Sequence, residues 1–455
     1  MRSPIDRAAV ERLTAQRAAK LRARSPRSRA LFERARLVMP QGVPSSFQAV
    51  EPHPIYIERG LGSRITDVDG NEYLDCHNGF GAIVAGHGNP VIARAIAAAA
   101  ATGTQFAAPS LASVEVAEEL ARRFRLPRVR FTNSGTEATL DAIRLARAFT
   151  GKDVILKIEG SYHGHHGAVM VSVHPPLELA GPRAEPRPVP FSDGLLAGEV
   201  ARTVPIPFND ADHLRRLLEA RRDVAALIVE PIMMNIGIVM PEPGYLAALR
   251  ELTARHGVVL IYDEVKTAIT IAAGGGVEHF GVVPDLVCVA KAVGGGTPLG
   301  AVIGSAEIME LIATSRVKQL GTFNGNALAM AAARATLLEV MDGAAYARLE
   351  RADAYLRAKL DAIIDRHGLP AYTVGLRAKG CVVFSDRPIV DYRSWAMYLE
   401  EDLNRLAWLY HLTSGVYMTP GGDEQWNLAL THTERDLDAF ADAFEEFARD
   451  VTRSA

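Results

Sequence analysis

The sequence predicts an α/β protein whose central sheet is mostly parallel and covered by helices on both faces. Two apolar runs, ALIVE (226–230) and VVLIYDEV (258–265), contain acidic residues at or near their ends, and a third, LVCVAK (286–291), ends in a lysine. A further segment, VRFTNSG (129–135), runs from a strand into a glycine turn before a helix. Fully apolar strands separated by helices are typical of a sheet that is buried on both sides.

Composition and charge indicate an ordinary globular chain. It has 455 residues, of which 48% are hydrophobic and 23% charged, and its formal net charge is −3. This balance does not favour binding to nucleic acid or to an anionic membrane. Cys76, Cys288 and Cys381 form no CxxC pair, so neither a disulfide framework nor a zinc site is expected. This cysteine usage fits a reduced compartment, so we predict a cytoplasmic protein. No apolar run reaches the roughly 18 residues of a membrane span.

The order of the segments predicts three regions. Residues 1–75 carry N-terminal helices and strands that belong to a smaller domain. Residues 76–340 alternate strands and helices and form the large domain. Residues 341–455 place helices before strands and complete the smaller α+β domain.

Local signals define several elements within these regions. Ser25-Pro26 predicts a helix start, with serine as the N-cap and proline in the first turn. Alternating residues around glycine turns predict strands between 52 and 76, and a closing helix is expected at 434–450. Residues 174–205 are rich in proline and polar residues and are predicted to form a long loop.

Polar residues at the strand ends predict the position of a ligand site. In parallel sheets, ligands bind beyond the carboxyl ends of the strands, where Ser134, Glu230, Asp263 and Lys291 fall. A buried lysine loses its charge easily and becomes a nucleophile, which an imine with an aldehyde cofactor requires. Taken alone, however, Lys291 is more typical of a surface lysine.

The other candidates also have a structural interpretation when each is taken alone. Asp263 could keep a pyridine nitrogen protonated, or it could cap a helix or form an ion pair. The turn Ser134-Gly135-Thr136 precedes a helix and suits a phosphate, or it is an ordinary capping turn. Thr322, in GTFNGN, is a second hydroxyl in a glycine-rich loop.

Tyr162 and His163 follow the strand VILKIEG, and an aromatic ring there could stack on a flat ligand. The nearby histidines His165 and His166 invite a metal interpretation. We do not favour it, because no carboxylate or cysteine shares their spacing.

Taken together, these motifs resemble the class III aminotransferases among the fold type I enzymes that use pyridoxal 5′-phosphate (PLP). FTNSGTEA, EGSYHGHH, IVEP, DEV, PDLVCVAKAVGGGTPLGA and GTFNGNALAM follow one another in the family's order, and the resemblance spans roughly 35–445. It is strongest to the branch of glutamate-1-semialdehyde 2,1-aminomutases and their transaminase relatives. The resemblance therefore implies the PLP-dependent transferase fold type I, with a large domain and a smaller α+β domain.

The resemblance implies a role for each candidate residue. It implies that Lys291 bonds the cofactor as a Schiff base and shuttles a proton, and that pyridoxamine 5′-phosphate is the intermediate form of the cofactor. It further implies a homodimer in which small amine and carbonyl substrates react. The remaining cofactor contacts that it implies are Ser134, Gly135 and Thr136 on the phosphate, Tyr162 and Val265 on the two ring faces, Asp263 on the pyridine nitrogen, His163 and Glu230 beside the ring, and Thr322 on the phosphate of the neighbouring subunit.

Departures from the family pattern bear on the substrate. The positions where relatives carry a carboxylate-binding arginine are Gln48 and Ser46 here, and glutamine replaces an arginine fork poorly. The residues predicted to line the substrate pocket are Ser46, Gln48, Phe80, Met233, Met234, Glu424 and Trp426. Lys266, Arg316 and Lys318 are the remaining cations that could meet a substrate carboxylate.

The predicted activity is transamination between an amine or amino acid donor and a ketone or oxo-acid acceptor. The alternative is the intramolecular amino transfer of a glutamate-1-semialdehyde aminomutase. A non-catalytic PLP-binding protein is disfavoured, because Lys291 and Asp263 are both present. A racemase or a decarboxylase stays open, because the cofactor supports several bond cleavages.

Overall fold

The computed structural model describes residues 5–453, which contain sixteen α-helices and fourteen strands. Proline, serine, asparagine or aspartate precedes or opens many of the helices, as expected from their capping chemistry. The helices are α1 (Arg7–Arg24), α2 (Pro26–Ala35), α3 (Asn78–Gly81), α4 (Pro90–Thr102), α5 (Leu111–Phe124), α6 (Gly135–Thr150), α7 (Ala197–Val200), α8 (Ala211–Ala220), α9 (Tyr245–His256), α10 (Gly275–Phe280), α11 (Ala306–Ala313), α12 (Ala327–Ala335), α13 (Gly343–His367), α14 (Tyr392–Tyr398), α15 (Glu401–Thr413) and α16 (Glu434–Arg453).

The strands are short, and those of the central sheet are rich in valine, isoleucine and leucine, which favour a pleated, buried surface. They are β1 (Ile57–Leu61), β2 (Arg64–Asp67), β3 (Glu72–Asp75), β4 (Arg128–Thr132), β5 (Val154–Ile158), β6 (Thr203–Ile206), β7 (Val224–Val229), β8 (Val259–Asp263), β9 (Leu286–Ala290), β10 (Gly300–Gly304), β11 (Tyr372–Leu376), β12 (Lys379–Val383), β13 (Val416–Tyr417) and β14 (Trp426–Asn427).

Seven strands form the central sheet in the order β4-β10-β9-β8-β7-β5-β6. The pairs β9 with β8, β8 with β7, β7 with β5, and β5 with β6 are parallel. Strand β10 is antiparallel to both of its neighbours, with Gly300 opposite Ala290 on one side and Thr132 on the other. The prediction of a mostly parallel α/β sheet is therefore confirmed.

The central sheet is buried on both faces because its apolar side chains alternate between two cores. On β7, Leu227 and Val229 pack into one core and Ala226 and Ile228 into the other. Successive side chains of a strand point to opposite faces, so a continuous apolar run fills both cores. Helices α5, α8 and α9 contribute to the first core, and α6 and α11 contribute to the second.

Six of the seven strands, all except β10, have their carboxyl ends at one edge of the sheet, and five of these ends lead into the candidate site. Strands β5, β7, β8 and β9 are mutually parallel through their neighbours, and β4 has the same direction as β9 because both are antiparallel to β10. The segments that follow these five strands are therefore neighbours in space, although they lie far apart in sequence. This edge positions the candidate site.

A second layer joins the two ends of the chain. One sheet has the order β1-β2-β3-β13, in which Val416 of β13 pairs with Leu74 of β3. A three-stranded sheet, β11-β12-β14, contacts α13 through β11 and meets α16 where Trp426 of β14 packs against Phe440. This arrangement supports a layer shared by both termini, while the domain boundaries at 75/76 and 340/341 stay predictions.

Two local features differ from the sequence prediction. Helix α2 does begin at Pro26, but Ser25 does not cap it with its side chain. Its Oγ instead donates to the carbonyl of Leu21 at 2.5 Å and lies 3.0 Å from His53 Nε2. The predicted loop 174–205 also contains α7, and β6 begins within it because Ile206 and its neighbours extend the edge of the central sheet.

Within residues 5–453, no helix combines the length and the apolar character that crossing a membrane requires.

Candidate active site

A cavity of about 330 Å³ lies at the carboxyl edge of the central sheet. Segments that follow β4, β5, β7, β8 and β9 contribute to it, together with residues from the N-terminal region and from the loop before β14. The lining residues are Phe47, Phe80, Asn133, Ser134, Gly135, Thr136, Tyr162, His163, Gly164, Glu230, Asn235, Asp263, Val265, Lys266, Ala290, Lys291, Thr297, Pro298, Leu299 and Asp423.

Lys291 enters this cavity directly after β9. Its backbone has φ of +48°, a left-handed conformation that costs a non-glycine residue of the order of 1 kcal/mol or more. Burial lowers its pKa to about 8, and the cations Lys266 and Lys379 act in the same direction against Glu424 and Asp263. A neutral, nucleophilic amine is therefore accessible near physiological pH.

Asp263 is the last residue of β8 and is almost fully buried. One carboxylate oxygen accepts from the backbone N–H of Val265 at 3.0 Å, and the other lies 2.7 Å from His163 Nδ1. His163 Nε2 is buried and has no hydrogen-bond partner among the described residues. His163 thus orients the carboxylate from behind, while Asp263 faces the cavity.

The turn Ser134-Gly135-Thr136 opens helix α6 at the cavity wall. Ser134 Oγ accepts from the N–H of Glu137 at 3.2 Å and caps the helix. The first N–H groups of a helix have no partner within the helix, and they carry partial positive charge. A Cβ on Gly135 would lie 2.8 Å from Val265 Cγ2, so glycine lets the turn approach this side chain closely.

Three aromatic rings form one wall of the cavity. Phe47 contacts Tyr162 edge to face, with ring centroids 5.5 Å apart at 87°, and it contacts Phe80 at 5.7 Å and 65°. Val265 lines the cavity as well. Aromatic and branched apolar side chains make such a space suitable for a flat ring.

Glu230 follows β7 and is held by four hydrogen bonds. It accepts from the backbone N–H of Tyr162 at 3.1 Å and of Met234 at 3.0 Å, and Asn235 Nδ2 donates to both of its oxygens at 2.9 Å. Burial raises its pKa. Glu230 therefore fixes the segment that carries Tyr162.

The residues present fit PLP. A phosphate is suited to the free N–H groups and hydroxyls at the start of α6, and a pyridinium is suited to a buried carboxylate backed by a histidine. Lys291 supplies the amine, and the aromatic wall with Val265 supplies apolar surfaces for the ring. The cavity is about the size that small cofactor sites have, of the order of 300 Å³.

The histidines considered for a metal have other partners. His165 Nδ1 lies 3.2 Å from Thr136 Oγ1, and His166 Nε2 lies 3.2 Å from Thr139 Oγ1. Burial lowers the pKa of His166 to about 4. These histidines pack around the start of α6.

Several predicted pocket residues lie elsewhere. Ser46 and Gln48 are exposed on a 3₁₀ turn and do not line the cavity, although Phe47 between them does. Trp426 is fully buried in β14 against Phe440, with ring centroids 5.7 Å apart, because β14 pairs with β12. Its placement in the pocket was therefore wrong.

Met233, Met234 and Glu424 also lie outside the cavity that they were predicted to line. Met233 and Met234 are fully buried outside the cavity, and Met234 contributes its backbone, which bonds Glu230 and Lys266. Glu424 is fully buried between Lys266 and Lys379, with Nζ–Oε distances of 2.6 and 3.2 Å. Only Phe80 of the predicted substrate residues lines the cavity within the described part of the chain.

The loop residues after β10 lie outside the cavity of their own chain. Thr322 is exposed, and its backbone carbonyl accepts from the side chain of Gln105. Arg316 and Lys318 are also exposed and do not line the cavity. Of the three cations considered for a carboxylate, Lys266 alone lines the cavity in residues 5–453.

Sequence reasoning missed Phe47, Asn235 and Asp423, all of which line the cavity. Phe47 and Asp423 each lie next to residues that were considered, so a wider window would have included them. Asn235 belongs to none of the sequence motifs. Its role comes from its hydrogen bonds to Glu230, and no local sequence pattern indicates that contact.

Comparison with known proteins gives a consistent result. A family model described as aminotransferase class III matches residues 46–445. The glutamate-1-semialdehyde 2,1-aminomutase of Desulfitobacterium hafniense (strain DSM 10664 / DCB-2) is 38% identical over 436 residues, covering 94% of this chain and 98% of that protein.

Two solved structures share this fold over almost their whole length. An omega-transaminase from Sphaerobacter thermophilus is 34% identical, with a TM-score of 0.88, and covers 93% of this chain and 97% of that one. A glutamate-1-semialdehyde-aminomutase from Pseudomonas aeruginosa PAO1, in complex with PMP, is 29% identical, with a TM-score of 0.90 and coverage of 98% and 99%.

Proposed function

The chain belongs to the class III aminotransferase family and is a PLP-dependent enzyme, and from this premise we propose that it moves an amino group by means of Lys291. The observation that carries the proposal is the meeting of Lys291, Asp263 and the Ser134-Gly135-Thr136 turn in one cavity. These groups come from three separate strand ends. Their chemistry is that of an amine, a ring-nitrogen partner and a phosphate site.

Each residue then has a defined task. Ser134, Gly135 and Thr136 would bind the phosphate, while Tyr162 and Val265 would pack against the ring. Asp263, oriented by His163, would hold a proton at the pyridine nitrogen. When bound, PLP supplies an electron sink for the substrate carbon. Glu230 keeps Tyr162 in place through its backbone N–H.

Lys291 is the proposed base and acid. Its pKa of about 8 lets it exist as a neutral amine, and Nζ could then take a proton from the substrate carbon that bears the nitrogen and hold it for delivery to the cofactor carbon. A single mobile amine that serves both carbons suits transamination as well as the intramolecular amino transfer of an aminomutase.

For the finer reaction, the relatives favour the aminomutase over the transaminase that was predicted first. The curated relative and one of the two solved structures described above carry aminomutase names, and the relative is aligned over nearly its full length. We therefore place glutamate-1-semialdehyde aminomutation first among the specific reactions to test.

The cavity itself favours transamination. Among the described residues, no arginine lines it, and Lys266, its only cation besides Lys291, already contacts Asp423 and Glu424. An apolar wall of Phe47, Phe80 and Tyr162 suits an amine without a carboxylate. The omega-transaminase among the structural relatives agrees with this second candidate.

A product assay on the PLP-loaded protein separates these reactions. One reaction contains glutamate 1-semialdehyde alone, and another contains either enantiomer of 1-phenylethylamine with pyruvate. Formation of 5-aminolevulinate supports the aminomutase, whereas acetophenone and alanine support the transaminase. If neither product forms while cofactor is bound, and Lys291→Ala behaves as the parent protein does, the proposed amino transfer at Lys291 is wrong.

Three further features remain proposals. We infer a homodimer in which Thr322 reaches the neighbour's phosphate, since its loop is exposed and carries Leu320 and Phe323 with exposed fractions of 85% and 59%. A cytoplasmic location follows from the cysteine usage and stays a prediction. The substrates are proposed to be small amines, amino acids and carbonyl compounds.

A further inference from the structure

Lys266 has a special position in the cavity. In the described part of the chain, it and Lys291 are the only lysine or arginine side chains among the lining residues. Lys291 is needed for the cofactor under the proposed function. A carboxylate carried by a substrate would therefore find Lys266 as its only cationic partner there.

Three acceptors surround the Lys266 ammonium group. They are the carbonyl of Met234 at 2.8 Å, Glu424 Oε2 at 2.6 Å and Asp423 Oδ2 at 3.2 Å. These bonds use all three N–H donors of a lysine. A substrate carboxylate can bind Lys266 directly only if one of these acceptors leaves.

The three acceptors are not equally fixed. The Met234 carbonyl belongs to a backbone segment whose N–H is bonded to Glu230. Glu424 is fully buried and also pairs with Lys379 at 3.2 Å. Asp423 makes the longest of the three bonds, its side chain is 18% exposed, and it lines the cavity. Asp423 is therefore the acceptor that can leave.

Charge balance permits this exchange. Lys266 and Lys379 face Glu424 and Asp423, so two cations meet two carboxylates in the buried group. A substrate carboxylate in place of Asp423 keeps the balance, whereas an unpaired buried charge would be costly. Burial lowers the pKa of Lys266, but Asp423 and Glu424 outweigh it and raise the pKa above its ordinary value, so the ammonium stays charged.

The backbone around Asp423 is held, so a side-chain rotation is sufficient. The carbonyl of Gly421 accepts from Asn404 Nδ2 at 2.5 Å, and that of Gly422 accepts from the N–H of Gly237. On the other side, the N–H of Gln425 donates to the carbonyl of Gly380 at 2.9 Å. Asp423 can then turn from Lys266 while its loop stays in place.

We propose that Lys266 binds the carboxylate of carboxylated amino and oxo substrates, and that Asp423 occupies this position until such a substrate displaces it. The proposal rests on the proposed function and names its substrate class. When the substrate is an uncharged amine or ketone, Asp423 stays on Lys266 and that end of the cavity is neutral. One cavity thereby accepts both classes.

The test compares two ligands that differ only in the carboxylate. Levulinate carries a carboxylate where 2-pentanone carries a methyl group. Their dissociation constants are measured by ligand-observed NMR on the PLP-loaded parent protein and on Asp423→Asn, Lys266→Met and Lys266→Arg. Circular dichroism and cofactor content show whether each variant is folded and loaded.

We expect Asp423→Asn to bind levulinate about tenfold more tightly, which corresponds to about 1.4 kcal/mol. Lys266→Met should weaken levulinate binding by about tenfold or more, and Lys266→Arg should retain it. The affinity for 2-pentanone should stay within about twofold of the parent value in Asp423→Asn, because no charge is involved.

Three results would overturn the proposal: equal changes for both ligands, levulinate binding that is unaffected by Lys266→Met, or a parent protein that does not bind levulinate. A purely structural role of the ion group would shift both ligands alike. Because these are binding measurements, they are independent of turnover. An enzyme that fails the product assay yet shows the expected affinity pattern would refute the proposed function and leave the Lys266 site intact.

Discussion

Lys291 combines a strained backbone with an unusual electrostatic environment. Its φ of +48° places it in a conformation that lysine rarely adopts, and the 3₁₀ turn Lys291–Gly294 follows it. Strained conformations persist where the surrounding structure overdetermines them, and they cluster at functional sites. Buried cations next to the amine then add to the effect of burial on its pKa.

This environment predicts how the reactivity of Lys291 depends on pH. Because its pKa is lowered from the ordinary 10.5 to about 8, the neutral amine should form as the pH rises through about 8. In PLP-free protein, the rate of covalent labelling by an amine reagent should rise about tenfold per pH unit below this point and level off above it. The Lys291→Ala variant gives the background to subtract.

The same titration tests the cause of the shift. Lys266 lowers the pKa of Lys291, so Lys266→Met should move the midpoint to higher pH. A midpoint near 10 in the parent protein, or no change in the variant, would contradict this account of the cavity.

At the scale of the element, two strand-to-loop junctions shape the site. Helix α6 begins with Gly135, where a side chain would press on Val265. Strand β5 contains Lys157, which is fully buried and donates to the carbonyls of Ile158, Ser161 and Ser172 at 3.2, 2.6 and 3.4 Å. These hydrogen bonds hold in place the turn that carries Tyr162.

Gly135→Ala should weaken cofactor binding. The added Cβ would lie 2.8 and 3.0 Å from the two γ-carbons of Val265, so the turn or the valine must shift by several tenths of an ångström. We expect the dissociation constant for PLP to rise about tenfold or more, equivalent to about 1.4 kcal/mol. Fluorescence titration measures it.

Gly343→Ala is the matched control, because it adds the same methyl at the start of another helix, α13, where nothing lies within 4 Å. If both variants bind PLP as the parent does, close packing at Gly135 is not needed for the site.

Lys157 predicts a pH-dependent contribution to stability. Burial lowers its pKa to about 7, so between about 7 and 10.5 the unfolded chain holds a proton that the folded chain has released. The free energy of unfolding should therefore rise with pH in this window, and Lys157 should cause no further change in it below about pH 7. Relative to Lys157→Met, the parent should gain about 1.4 kcal/mol in the free energy of unfolding per pH unit.

Urea unfolding at pH 7.5, 8.5 and 9.5 measures this difference. Lys20→Met removes an exposed lysine from α1 and should leave the slope unchanged. Parallel curves for the parent and Lys157→Met would show that Lys157 does not change protonation between the folded and unfolded states.

At the scale of the whole molecule, the chain builds its site from distant segments and leaves one loop outside it. Residues from the N-terminal region, the central sheet and the loop before β14 all line the cavity. Thr322 is exposed beside Leu320 and Phe323. An apolar exposed loop of this kind suits contact with another protein surface.

If Thr322 serves the neighbouring subunit, activity should be restored by mixing two defective variants. Thr322→Val should lose cofactor affinity, and Lys291→Ala should lose activity. In a mixed dimer, the subunit with intact Lys291 would receive an intact Thr322 from its partner. Dissociating and reassociating the two variants should restore part of the parent activity.

Analytical ultracentrifugation accompanies this experiment. Thr322 does not line the cavity of its own chain. If it nevertheless acted within its own subunit, every subunit in the mixture would keep a defect, and mixing would restore no activity. A monomeric active enzyme would contradict the homodimer as well.

The α/β class, the family and the order of the groups at the strand ends could all be predicted from the sequence. Apolar runs that are buried on both faces leave a strong pattern, and Tyr162, Glu230, Asp263 and Lys291 each lie at or just after such a strand. Ser134 instead follows the half-exposed edge strand β4. Because parallel strands place their carboxyl ends at one edge, this local pattern was enough to predict that these residues meet.

The substrate end of the cavity was decided by the tertiary structure alone. Trp426 and Glu424 lie three residues or fewer from Asp423, yet only Asp423 lines the cavity, because pairing of β14 with β12 buries the tryptophan and two lysines enclose the glutamate. Ser46 and Gln48 point away while Phe47 enters. Which side of a short loop faces a cavity depends on its contacts with distant segments, and no local periodicity records those contacts.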